Sequence, residues 1–284
     1  MTRQSATARK AEDLLGIPVV ATSPVAGGDI ATATRLRLSD GRTALMKTLA
    51  QPPDGFFAAE ARGLSWLAEP DAVAVPEVLA VDTDCLVLPW IEPGKATAEA
   101  ATGFGRELAR LHAAGAASFG AEEDGYIGRL PMPNGSADGW PEFYATRRVL
   151  PYLAAARNRD AISAEDAAIV EGVLGRLADL VPDEPAARLH GDLWNGNVIW
   201  GADGRAHVID PAAHGGHRET DLAMLSLFGL PHLPKVLEAY AEVAPPAEGW
   251  EDRLGLHQLF PLLVHAVLFG GGYGARAAAV AARY

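Results

Sequence analysis

The stretch RLHGDLWNGNVIWGADGRAHVIDPAAHGGHRETD, residues 188–221, sets a carboxylate, an amide and a second carboxylate among short apolar runs. Asp192 and Asn197 stand five residues apart, and Asp210 closes the apolar strand Ala206 to Ile209. Phosphoryl transfer needs one group to orient the attacking hydroxyl and others to hold the metal ions that neutralise phosphate charge. Asp192 fits the first task. Asn197 and Asp210 offer the oxygen ligands that Mg²⁺ prefers, the second from the end of a rigid strand. Taken singly, each is ordinary, because Asp-x-x-x-x-Asn recurs by chance and an Asp closing a strand is commonly a turn former. The combination of HGD, Asn, strand and Asp-Pro carries the reading. His190 is expected to brace the loop through its ring. Asp221 opens the apolar run LAMLSLFG, where helix capping is the plainer role.

Upstream, Pro18 to Val25, Ala31 to Leu38 and Thr43 to Leu49 alternate as strands, joined by the turns Ala26-Gly27-Gly28-Asp29 and Ser39-Asp40-Gly41. Gly27 and Gly28 let backbone N–H groups approach phosphates, although alone they are a hairpin turn. Lys47 lies in the apolar setting ALMKTL and reaches nucleotide phosphates if an acid positions it. Glu60, in the helix Phe56 to Leu67, is the candidate acid; without the downstream HGD loop the two would read as an exposed edge-strand lysine and a solvated helix glutamate. Val75 to Val81 and Cys85 to Trp90 complete a small antiparallel sheet.

HGDLWNGN followed by DPAAHGGHRETDLAML resembles the signature of the fructosamine kinase (ketosamine 3-kinase) family, a branch of the aminoglycoside phosphotransferase-like and protein-kinase-like fold. HGD-x-x-x-x-N alone points only to the superfamily, and the Trp-x-Gly-Asn and GHRE-x-DLAM segments narrow it. The resemblance implies ATP and Mg²⁺ as cofactors, Asp192 as the catalytic carboxylate, and Asp221 as a tie on the catalytic-loop backbone. It implies that the connector Pro89, Trp90, Ile91 offers main-chain groups to adenine, the carbonyl at Pro89 and the N–H at Ile91. Its substrates are ketoamines, fructosamines or ribulosamines on free amines or proteins, phosphorylated at the sugar O3, so that the labile product falls away and the amine is deglycated. Trp194 is expected to shape the acceptor site, and His265, in FPLLVHAVLFGGGYG, is carried as a pocket residue, although Val264 stands where that family commonly has Asn. A kinase for another hydroxyl compound (an aminoglycoside, choline or homoserine) is the first rival. A pseudokinase interaction module is the second, opposed by the presence of Lys47, Asp192, Asn197 and Asp210.

With 284 residues the chain holds one large domain or two lobes around a cleft. A formal charge of −12 argues against nucleic-acid binding, which calls for a basic face. The single cysteine, Cys85, rules out an intramolecular disulfide and reads as a buried strand residue. The start, MTRQSATARKAEDLL, lacks the apolar core of a signal peptide and no run approaches a membrane span, so no membrane partner is expected and the cytoplasm is the default. The oligomeric state is left open.

After Pro93-Gly94 the character turns helical, with Thr97 as cap and Gly115 as terminator of the first helix. His112 on it reads as a packed residue. Residues 119–139 show no clear periodicity; Trp140, Phe143 and Tyr144 fit core packing better than a sugar pocket. Tyr144 to Arg159, Ser163 to Val181, Asp221 to Gly229, Leu233 to Val243 and Trp250 to Phe269 read as helices before an alanine-rich tail. The expectation is therefore an α+β, protein-kinase-like two-lobed fold: a nucleotide-binding lobe of antiparallel strands and one helix over residues 1–92, and a mainly helical catalytic and substrate lobe over 93–284.

Overall fold

The computed structural model describes residues 5–26 and 30–284. Ser5 opens helix α1 (Ala6–Leu15) by accepting from Ala8 N at 3.1 Å, and Gly16 in the left-handed region closes it. Strands β1 (Val19–Val25), β2 (Thr32–Leu38) and β3 (Thr43–Thr48) precede helix α2 (Phe56–Ala68), and β4 (Ala80–Asp82) and β5 (Cys85–Pro89) follow it. They form one antiparallel sheet in the order β1-β2-β3-β5-β4. Strand periodicity of two sorts β3: Ala44 and Met46 join Leu36, Cys85 and Val87 on the α1 side. Lys47, of opposite parity, shares its face with Leu49, which packs with Leu86, Leu88 and the α2 residues Phe57 and Leu64. The fourth expected strand, Val75 to Val81, shrinks to three residues, because Pro76 cannot donate to a ladder.

Helix α3 (Ala98–Ala113) starts at Thr97, whose hydroxyl accepts from Ala100 N at 3.1 Å. It packs along α9 (Leu233–Val243) at very close range, since a Cβ on Gly105 would stand 2.2 Å from Val236 O. Gly105→Ala is expected to cost about 1–3 kcal/mol through overpacking, read as a lowered midpoint in urea with unchanged slope.

Residues expected to be aperiodic contain a hairpin, β6 (Gly125–Ile127) and β7 (Leu130–Met132). The helix expected over Tyr144 to Arg159 is interrupted: α4 (Trp140–Phe143) runs into a π-helical segment (Tyr144–Val149) before α5 (Leu150–Asn158). Pro151 has no N–H for the carbonyl four residues back, and Arg148 Nη1 donates to that Arg147 oxygen at 3.2 Å. Gly175 likewise splits the next expected helix into α6 (Ala164–Leu174), capped by Ser163, and α7 (Leu177–Leu180). Short strands β8 (Ala187–Leu189), β9 (Val198–Trp200), β10 (Ala206–Val208) and β11 (His214–Gly216) pair as β8 with β11 and β9 with β10. Helices α8 (Glu219–Phe228) and α10 (Trp250–Phe269) follow. The alanine-rich tail is a helix too, α11 (Tyr273–Ala281), as alanine's helix preference permits. Trp140, Phe143, Tyr144 and Phe260 lie in the largest apolar core of this half. The fold is α+β and two-lobed, and no helix among the described residues is long and apolar enough to cross a membrane.

Candidate active site

The hairpin β9–β10, the pairing of β8 with the distant β11, and a buried carboxylate shape the loop between β8 and β9. Gly191 has φ +82°, and a Cβ there would meet Ala212 O at 2.1 Å, so only glycine fits. His190 braces the loop as expected: Nε2–H donates to Ile209 O at 2.9 Å and Nδ1 accepts from Asp192 N at 3.2 Å. Burial pushes its imidazole below the usual histidine range, in keeping with that neutral tautomer. Asp221 lies inside α8 and caps nothing there. Its carboxylate accepts from His190 N (2.8 Å), Gly191 N (3.0 Å) and His112 Nε2 (3.2 Å). Burial alone would raise its pKa, but His112, His190 and the Gly191 N–H outweigh this and hold it below the usual carboxylate range. His112, legible in the sequence only as a packed residue, is the far end of this tie and touches Tyr240 Oη at 2.8 Å.

Asn197 Nδ2 donates to the main-chain oxygen of Asp192 at 2.8 Å and to its Oδ2 at 3.0 Å, which fixes the aspartate rotamer. Burial pushes the Asp192 carboxyl up to about 7, Asp210 and Asp221 adding to the rise and the Asn197 amide opposing it. Asp210 has φ +54°, a left-handed conformation that aspartate adopts more readily than most residues. Lys47 Nζ sits between Glu60 Oε1 at 2.6 Å and Asp210 Oδ1 at 2.7 Å. Burial would lower the lysine pKa, yet the two carboxylates raise it above its ordinary value. With its amide nitrogen turned to Asp192, Asn197 keeps Oδ1 unpaired among the described residues. One Asp210 oxygen likewise remains beside the one on Lys47. This all-oxygen pair fits a hard cation such as Mg²⁺.

These groups line one cleft of about 960 Å³, with Pro89, Trp90, Ile91 and Trp194 also on its wall. The N–H of Ile91 has no hydrogen-bond partner among the described residues, whereas that of Trp90 is taken by Thr43 O at 3.0 Å. Trp90 contributes its ring, over which Arg35 stacks at 4.4 Å. Gly27 and Gly28 lie outside the described residues. His265 is off the cleft wall: Trp194 packs on Phe228 (centroids 6.0 Å apart), and His265 stacks behind Phe228 at 4.7 Å. Its Nδ1–H is spent on Pro261 O at 2.8 Å. Trp140, Phe143 and Tyr144 are core residues away from this wall. The sequence reading missed Glu122, Glu123 and Asp124, which also face the cleft; the run of three successive acids that ends in the first residue of DGYIG was the available signal.

A second buried polar cluster, His217, Glu219 and His257, has ligand atoms within 4.8 Å of one another. His217 Nδ1 accepts from Glu219 N at 3.2 Å, which leaves the ring proton on Nε2, and Glu219 holds Arg253 through both oxygens at 2.6 and 3.2 Å. That bonding suits an anchor of the GHRE segment rather than a metal centre.

The fructosamine kinase profile matches residues 2–284. The chain belongs to the fructosamine kinase family. A Thermus thermophilus protein named "Probable ketoamine kinase" is 40% identical over 88% of each chain. The chloroplastic protein-ribulosamine 3-kinase of Arabidopsis thaliana is 32% identical over 90% of this chain and 80% of that one. A crystal structure from Thermobifida fusca, which carries the fructosamine-3-kinase name, is 50% identical over 97% of each chain with a TM-score of 0.93. A macrolide 2′-phosphotransferase from Brachybacterium faecium, at 18% identity and a TM-score of 0.60, shares the fold alone. This member of the fructosamine kinase family is accordingly an ATP-dependent phosphotransferase with a hydroxyl acceptor.

Proposed function

We propose that this fructosamine kinase phosphorylates the sugar O3 of ketoamines, fructosamines or ribulosamines on free or protein amines, and so leads to deglycation. The observation that carries the reading is the convergence of Asp192, Asn197, Asp210, Lys47 and Glu60 on one cleft in a chain of this family. Asp192 accepts the proton of the attacking hydroxyl as its oxygen bonds to the γ-phosphorus and the bond to the departing ADP oxygen breaks. Its raised pKa makes it a stronger base than an exposed aspartate while still ionised above about pH 7. Asn197 and Asp210 hold Mg²⁺, which supplies charge neutralisation on the phosphates. Lys47, positioned by Glu60, holds the nucleotide phosphates and leaves Asp210 for the cation when they arrive. The connector Pro89 to Ile91 receives adenine through main-chain groups, Ile91 with an N–H that has no partner among the described residues. To Gly27 and Gly28, which lie outside the described residues, we assign the role of offering backbone N–H groups to the phosphates.

Trp194 forms one wall of the acceptor site, and His265 supports that wall through Phe228. We place the lobe boundary at residues 92 and 93, where strand β5 has ended and α3 has yet to begin, with the protein acting in the cytoplasm and away from nucleic acid. The test is Mg²⁺- and ATP-dependent ADP release with ribuloselysine, fructoselysine, kanamycin, choline and homoserine, Asp192→Asn serving as blank. Turnover confined to the two ketoamines, with the phosphate on O3 by NMR, is the expected result. Turnover of kanamycin, choline or homoserine in their place would keep the kinase and discard the ketoamine reading.

A further inference from the structure

The hairpin β6–β7 departs from the helical half of the molecule and lies against α2, the helix that carries Glu60. Tyr126 Oη donates to Asp54 O at 2.9 Å, just ahead of α2, and the tyrosine ring packs on Phe56 with centroids 5.3 Å apart. On the other side of Glu60, Arg62 pairs with Glu123 Oε2 at 3.1 Å and donates to Asp124 O at 3.4 Å. At the hairpin turn, Arg129 donates to Ile30 O at 2.9 Å, two residues before β2. Gly128 there has φ +59°, and a Cβ would come 3.3 Å from Ile30 Cδ1 and 3.1 Å from Leu268 Cδ1, so the turn is seated between α10 and the sheet.

The hairpin is braced from behind as well. Asn134 N donates to Asp124 Oδ1 at 2.7 Å, and Asn134 Nδ2 to Glu123 O at 3.1 Å. Arg148, fully buried in the π-helical segment, donates to Asn134 Oδ1 and to Pro133 O, each at 2.6 Å. A buried guanidinium is tolerated only where it is hydrogen-bonded, and beside the bond to Arg147 O the two shorter bonds of this one go to the base of the hairpin. From below, α2 meets Pro211 and Ala213 at Gly63, where a Cβ would stand 3.2 and 3.3 Å from them. The helix is thus gripped between the hairpin and the segment after Asp210.

We infer that the β6–β7 hairpin is a strap that fixes α2 and thereby holds Glu60 against Lys47, making Arg62 and Tyr126 positioning residues for the nucleotide phosphates. The inference rests on the roles given to Lys47 and Glu60 and is independent of which acceptor is phosphorylated. Its physical basis is the steepness of a charge-assisted hydrogen bond. The 2.6 Å Lys47–Glu60 contact is lost if α2 drifts by about 1 Å, and the two grips flank Glu60 in sequence at residues 54–56 and 62.

The test is equilibrium binding of Mg²⁺ and the non-hydrolysable β,γ-imido analogue of ATP to the intact protein with no acceptor present. The pair Arg62→Met and Tyr126→Ala is made both in the wild-type and in a Glu60→Gln background. The strap pair is expected to weaken binding about tenfold in the first and less than about twofold in the second, because no carboxylate is left to misplace. Tyr126→Phe, which keeps the ring, moves binding the same way by a smaller factor and guards against a folding defect. Equal weakening in both backgrounds, or none in the wild-type one, overturns the strap. An unaltered affinity for Glu60→Gln alone would instead overturn the Lys47–Glu60 reading on which it stands.

Discussion

Asp192→Asn is expected to lower turnover by about 10²–10⁴-fold while raising the melting temperature at pH 8. Both effects come from the same carboxylate. The folded protein holds Asp192 at about 7, well above an ordinary aspartate, because burial and the neighbouring Asp210 and Asp221 disfavour its charge. Below the unfolded-state pKa the group is neutral in both states and costs nothing. Between that value and about 7 the folded state binds the extra proton, so stability falls as pH rises. Above about 7 both states are ionised and the folded one carries the whole penalty. Asparagine removes the charge and keeps an oxygen for the Asn197 amide, which donates to Asp192 Oδ2 at 3.0 Å. A gain of about 2 °C or more at pH 8, and none at pH 4, is the result expected from thermal melts at the two pH values. A variant that is destabilised at pH 8 would mean that the aspartate is held by more than that one amide.

Asp221→Asn is expected to destabilise the protein by about 3–5 kcal/mol and to abolish turnover without touching any substrate. The carboxylate is fully buried and accepts three N–H donors, from His190, Gly191 and His112. An amide offers one oxygen, so its NH₂ group must face at least one of these donors. The donor left unpaired bears a full desolvation penalty. Because two of the three are the main-chain N–H groups just before Asp192, the loop that presents the proposed catalytic carboxylate loosens with them. Chemical denaturation gives the stability loss. Nucleotide binding separates the two effects: Lys47 and the connector Pro89 to Ile91 lie on other elements, so affinity for ATP should fall far less than turnover. Glu219→Gln, which strips a charge from an equally buried carboxylate paired with Arg253, serves as a control for destabilisation outside the loop.

Much of the site was legible because its chemistry is local. HGDLWNGN and the Asp-Pro after a strand keep their order and spacing whatever surrounds them, and turn-forming glycines and a proline bound them on either side. Lys47 and Glu60 were legible as a pair only in company with the downstream HGD loop and through the order and spacing of the family they resemble. The π-helical segment and the split of α6 from α7 were not read, although Pro151 and Gly175 stood in plain view; helical periodicity alone runs through such breaks. Asp221 was ambiguous for a different reason. An aspartate early in a helix serves a cap or a distant loop equally well, and only the arrival of His190 and Gly191 decides between them.

From sequence alone came the family, the order of strands before helices, and the candidate groups proposed for phosphate, cation and acceptor hydroxyl. These follow from residue type and short-range spacing. Only the tertiary structure decided that Lys47 bridges Glu60 and Asp210, that Asp192 is buried enough to be held at about 7, that His265 stands behind Phe228, and that the β6–β7 hairpin reaches across to grip α2. Each of these depends on contacts between residues far apart in the chain, where burial and distance set the energies, and neither quantity is written in any short stretch of sequence.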